Sequence, residues 1–130
     1  MNRVLVVDDE PDVRELLARI LTGSGYEVFK ACSGEEGLVL ASRLHPDLVV
    51  LDIVLPGLSG FEVCRLVKAK YPGVKVLVVS ALNREIDHKY AAEYGADGYL
   101  SKPFTVAGLL ETVDNILASG EYIVSQSTAL

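Results

Sequence analysis

Hydrophobic positions along this chain follow two alternating patterns. The segments 4–7 (VLVV), 48–51 (LVVL) and 76–79 (VLVV) are continuous apolar runs, largely β-branched. Such runs mark strands covered on both faces, as in a parallel sheet. Segment 26–31 (YEVFKA) mixes polar with apolar positions and reads as an edge strand, and 98–101 (GYLS) is a shorter fifth strand. Between them the period lengthens. Val13, Leu16, Leu17, Ile20 and Leu21 recur at helical spacing, as do Leu109, Val113, Ile116 and Leu117.

Boundary residues agree with that division. Pro11 suits a first helical turn, where its missing N–H costs nothing. Ser33 with Glu36, and Ser59 with Glu62, fit the Ser-x-x-Glu capping box. Gly23, Gly25, His45-Pro46, Pro72-Gly73 and Gly95 supply helix stops. The helix expected over 83–94 has the weakest stripe (Ile86, Tyr90, Tyr94), which makes it the expected mobile element. The predicted order is βαβαβαβαβα, without repeat or internal linker. Alternation of this kind implies right-handed crossovers and a doubly wound α/β sandwich, a five-stranded parallel sheet with helices on both faces. One domain is expected over 1–118. The tail 119–130 loses the pattern and is expected to prolong the last helix briefly or to begin a linker to an output domain.

Composition narrows the function. Twelve Lys+Arg stand against eighteen Asp+Glu, a net charge of −6. An acidic chain without a basic stretch is poorly suited to gripping a phosphate backbone, so direct nucleic-acid binding is not expected. No apolar run approaches the ~18 residues of a membrane helix, and the first ten residues reach acidic side chains too soon for a secretory signal. Two well-separated cysteines, Cys32 and Cys64, make neither a disulfide framework nor a zinc site. They read as core or half-buried hydrophobes, and a cytoplasmic location follows as the expectation.

The chemistry lies where strands end. In open α/β sheets, ligands bind outside the carboxyl ends of the strands. There the first strand runs into Asp8 and Asp9, the third into Asp52, the fourth into Ser80 and the fifth into Lys102-Pro103. Three carboxylates converging in a small space repel one another unless a cation intervenes. A hard divalent ion resolves the conflict: Mg²⁺, or Mn²⁺ in its place, takes oxygen ligands and accepts a phosphate beside one or two carboxylates. A carboxylate is also a competent nucleophile toward phosphorus, giving an acyl phosphate. Asp52, alone at a central strand end, is the expected nucleophile, and Asp8 with Asp9 suits the metal. Lys102 supplies a fixed positive charge and Ser80 a hydroxyl.

These segments, VLVVDDEP at 4–11, LVVLDIVLPGLSG at 48–60, VSA at 79–81 and GADGYLSKPF at 95–104, together resemble the receiver domain of two-component response regulators. The resemblance spans residues 3 to about 118. It implies strand order 2-1-3-4-5 and a signalling domain, not an enzyme with an external substrate. By position, Asp52 would accept the phosphoryl group from the phosphohistidine of a sensor histidine kinase or phosphotransfer protein. Asp9 would bind Mg²⁺ directly and Asp8 through water, with the backbone carbonyl of Val54 as a further ligand. Lys102 would pair with the phosphate, its bond to Pro103 being cis. Ser80 and Tyr99 would act as the switch, Ser80 moving toward the phosphate and Tyr99 turning inward behind it, which remodels the face of the fourth helix, fifth strand and fifth helix. An output domain, an effector protein or a second copy would bind there.

Two departures matter. Val54 and Leu82 flank the pocket and are apolar, which implies a slowly decaying phosphoryl form. Asp97-Gly98 stands where the winged-helix subfamily carries two acidic residues for its dimer salt bridges.

Other readings fit less well. A degenerate receiver would leave three repelling acids without purpose. A haloacid-dehalogenase-type phosphatase needs Asp-x-Asp, whereas Asp52-Ile53-Val54 lacks the second acid. A flavodoxin-like nucleotide binder needs an amide-rich phosphate loop, and Asp8-Asp9-Glu10 would repel a phosphate. Taken singly, Asp8 or Asp9 is also a plausible helix N-cap before Pro11, and Tyr99 an ordinary edge-strand aromatic. His45 and His88 are assigned no role in catalysis or metal binding.

Overall fold

The computed structural model describes residues 2–118 and the strand at 123–125. Elements alternate as β1 (Arg3–Val7), α1 (Pro11–Gly23), β2 (Glu27–Ala31), α2 (Gly34–Leu44), β3 (Leu48–Leu51), α3 (Gly60–Lys70), β4 (Lys75–Ser80), α4 (Glu85–Glu93), β5 (Gly98–Ser101), α5 (Val106–Ala118) and β6 (Ile123–Ser125). All neighbouring strands are parallel and ordered β2-β1-β3-β4-β5-β6. The expected five strands in order 2-1-3-4-5 are present. The tail adds a sixth, β6, paired to β5 from Gly98↔Ile123 to Leu100↔Ser125. Three residues carry too little pattern to be read as a strand without the sheet they join.

The unbroken apolar runs follow from the layers. Successive side chains of a strand point to opposite faces, and both faces here are covered. Leu5, Val7, Val49, Leu51, Val76 and Val78 pack with Val63, Cys64, Val67 and Ala91 on one side. Val4, Val6, Leu48, Val50, Leu77 and Val79 pack with Leu17, Leu21, Leu109, Val113 and Ile116 on the other.

Local signals are honoured with adjustments. Ser33 Oγ accepts from Glu36 N (3.1 Å), while the Glu36 carboxylate reaches Cys32 N at 2.9 Å, one residue short of a reciprocal box. Ser59 Oγ accepts from Glu62 N (3.3 Å), and Glu62 turns to Arg65 instead. Gly60 opens α3 against the end of β3: a Cβ there would lie 2.1 Å from the Asp52 carbonyl oxygen, so only glycine lets the helix approach so closely.

Two expectations need correction. Helix α4 is shorter than 83–94, and its apolar stripe faces outward: Ile86 and Tyr90 are exposed, and the buried positions are Asp87 and Ala91. The acid is tolerated because Arg84 folds back over it, Nε to Oδ2 at 2.9 Å and Nη2 to Oδ1 at 3.0 Å. Cys32 is exposed, because it lies in the turn between β2 and α2. Cys64 is fully buried as expected, and burial pushes its thiol up to about 12.

Candidate functional site

Parallel register brings the strand ends level. Val7 is paired with Leu51, and Leu51 with Val78, so the residues that follow β1 and β3 emerge side by side at one edge. Ser80 and Ser101 are also paired, placing Lys102 next to Ser80. Backbone hydrogen bonds carry this alignment past the strands: Asp8 N donates to Ala31 O, Asp52 N to Val7 O and Lys102 N to Ser80 O.

Three charged side chains meet there. Lys102 Nζ donates to Asp52 Oδ2 at 2.8 Å and to Asp8 Oδ2 at 3.0 Å, and Glu10 Oε1 lies 4.0 Å away. Asp8 and Asp52 are almost wholly buried, and the lysine side chain is 13% exposed. Each carboxylate is anchored through its other oxygen: Asp8 Oδ1 accepts from Glu10 N and Asp52 Oδ1 from Val54 N, both at 2.9 Å. Arg14 Nη1 reaches the Asp8 carbonyl from the first turns of α1. The N-cap reading of Asp8 is thereby replaced by an Asx turn leading into α1, whose cap position is Glu10.

Lys102 is pulled in two directions. Burial, the largest influence, disfavours its charged form. Asp52 and then Asp8 outweigh burial, so the ammonium is held above its ordinary 10.5. The acids expected to repel one another are thus bridged by a cation the chain itself supplies.

The third carboxylate beside this pair is not the one expected. Asp8, Glu10 and Asp52 each offer an oxygen within 4.8 Å of the others, whereas Asp9 is exposed and outside that group. In the sequence Glu10 reads only as a charge that repels phosphate. Its place next to the Asp8 turn was the available signal. An all-oxygen set of this size fits a hard divalent cation, since two opposed Mg–O bonds of ~2.1 Å nearly span it.

Ser80 is fully buried, and its Oγ accepts from Leu82 N at 3.3 Å. Tyr99 is also fully buried, its hydroxyl donating to the Leu82 carbonyl. Val54, immediately beyond Asp52, is 55% exposed at the rim. The Lys102–Pro103 peptide bond is cis. Next to the lysine, Val13, Leu16, Ala81, Pro103 and Phe104 line an apolar concavity of about 390 Å³.

A doubly wound parallel sheet with buried aspartates and a lysine at its carboxyl edge has the build of a signalling receiver. Residues 4–114 match the profile of the response regulator receiver domain. The chain belongs to that family, and the domain is one of two-component signalling. It is 39% identical over 126 residues to the alkaline phosphatase synthesis transcriptional regulatory protein PhoP of Bacillus subtilis, covering 97% of this chain and 52% of that protein. It is 39% identical over 112 residues to the DNA-binding response regulator MtrA of Mycolicibacterium smegmatis, covering 86% and 49%. The chain therefore spans about half the length of these curated relatives. Chemotaxis protein CheY4 of Vibrio cholerae superposes with a TM-score of 0.86 at 30% identity, covering 89% of this chain and 98% of that one. Among the described residues no helix is long and apolar enough to cross a membrane.

Proposed function

We propose that the domain is a phosphoacceptor switch in which Asp52 is the acceptor. A carboxylate oxygen of Asp52 attacks the phosphorus of a phosphohistidine on a sensor kinase or phosphotransfer protein. The P–N bond breaks, its electrons and a proton go to the imidazole nitrogen, and an acyl phosphate forms on Asp52. The observation that carries this reading is the Lys102 ammonium bridging two buried carboxylates at the strand edge. It is a fixed charge where phosphoryl oxygens would arrive. Lys102 exchanges a carboxylate partner for a phosphate oxygen without leaving the pocket.

Asp8, Asp9, Asp52 and the Val54 carbonyl would hold Mg²⁺ or Mn²⁺, with Glu10 beside them. When bound, such an ion neutralises charge on the transferring group. Ser80 turns its hydroxyl from Leu82 N toward the phosphoryl group, and Tyr99 with α4, β5 and α5 presents the altered face. The partner at that face is an output domain, an effector protein or a second copy, acting in the cytoplasm. Beyond this transfer and the slow loss of its own phosphoryl group the domain is not an enzyme. Beryllofluoride, a stable phosphoryl mimic, tests the reading. With Mg²⁺ it should shift the amide resonances of Val54, Ser80 and Lys102 in the wild type and leave those of Asp52→Asn in place. An equal response to the mimic in the two proteins would contradict it.

A further inference from the structure

Tyr99 is held from two sides. Its hydroxyl donates to the Leu82 carbonyl. Its ring lies against the His88 imidazole, centroids 4.0 Å apart and planes inclined by 31°. His88 is in turn oriented by Asn83, whose Oδ1 lies 2.7 Å from its Nε2. The set forms a connected path from the pocket to α4. Ser80 Oγ accepts from Leu82 N, Leu82 O accepts from Tyr99, and Tyr99 stacks on a residue of the first turns of α4.

We infer that His88 is a positioning residue, which clamps Tyr99 in its buried orientation and so sets how far the switch is thrown before phosphorylation. This rests on the phosphoacceptor reading above, with the inward, buried orientation of Tyr99 as the one that accompanies the phosphoryl form. The physical argument is linkage: a group that stabilises one of two conformations raises the affinity of any ligand selecting that conformation. A stacked aromatic pair stabilises its arrangement enough to shift such an equilibrium by roughly three- to tenfold. The buried side chains of α4 are Asp87 and Ala91, both short. The stack is an aromatic contact that joins α4 to β5.

The test compares wild type, His88→Ala and His88→Phe, the last keeping a flat ring without a link to Asn83. Proton NMR of the Tyr99 ring in the unphosphorylated protein reports its orientation. Titration with beryllofluoride and Mg²⁺ reports the coupling. In His88→Ala the ring resonances should move toward solvent-exposed positions and the mimic should bind about three- to tenfold more weakly, with both effects largely restored in His88→Phe. Unchanged ring resonances in His88→Ala would overturn the clamp. Failure of His88→Phe to restore them would also overturn it, because the stack would not be the cause. If the wild type binds no beryllofluoride, the phosphoacceptor reading fails while the ring resonances still decide the placement of Tyr99.

Discussion

Lys102 Nζ lies 2.8 Å from Asp52 Oδ2 across fifty positions of sequence, in a pocket nearly closed to water. The same nitrogen serves Asp8 at 3.0 Å. This one cation makes two adjoining buried carboxylates tolerable, and the stability of the resting domain depends on it.

Removing the cation alone should therefore be costly. Lys102→Met leaves Asp8 and Asp52 facing each other without compensation, and breaking a buried charge cluster typically costs about 3–5 kcal/mol. Thermal melts should show Tm falling by about 10 °C or more without metal. Mg²⁺ should recover more of that loss than it adds to the wild type. A variant melting like the wild type would mean the bridge stabilises nothing. The sign of the pH dependence follows from the raised lysine. Its contribution is full below the ordinary 10.5 and is lost as pH rises through the higher folded value.

Asp9 and Glu10 would compete for the third place at a bound metal. Asp9 is exposed and makes no side-chain hydrogen bond among the described residues, so it would turn inward without breaking one. Glu10 reaches the cluster only through a longer, 64% exposed side chain, which loses more rotamer freedom on binding. Asp9→Asn should weaken Mg²⁺ by about tenfold and Glu10→Gln by less than about threefold, read from the Mg²⁺ dependence of Tm. The reverse ranking would assign the site to Glu10.

Arg84 covers the buried Asp87 at the start of α4. Its hydrogen bond, the largest influence, holds the carboxyl below its ordinary 3.8. A depressed acid contributes stability above its unfolded value and loses it as pH falls through the folded one. Arg84→Met should lower Tm at pH 7, and the difference from wild type should narrow below pH ~3.8. A gap independent of pH would show that the arginine acts by packing alone.

Val54 sits at the rim beyond Asp52, where a polar side chain would orient an attacking water. Val54→Asn should shorten the phosphoryl lifetime severalfold, followed by intact mass over time. An unchanged lifetime would remove Val54 from the account of slow decay.

How much of this was legible beforehand depended on how local the signal was. The runs 4–7, 48–51 and 76–79 announce double-sided burial by themselves, and with the strand-end rule they bring Asp8, Asp52, Ser80 and Lys102 to one edge. The orientation of α4 was not readable, because its inward face carries an acid satisfied by Arg84 three residues earlier while Ile86 and Tyr90 point outward. Strand β6 exists only through its ladder to β5. Glu10 enters the cluster through an Asx turn at Asp8, which no hydrophobic period records. The clamp on Tyr99 is a contact between α4 and β5 that neither segment betrays alone.

The proposed switch depends on Asp52 taking a phosphoryl group. Intact mass after incubation with Mg²⁺ and a small acyl phosphate donor tests it most directly, beside an Asp52→Asn control. The wild type should gain one phosphoryl group and the variant none. A gain of the same size in both would contradict it and place the acceptor on another residue.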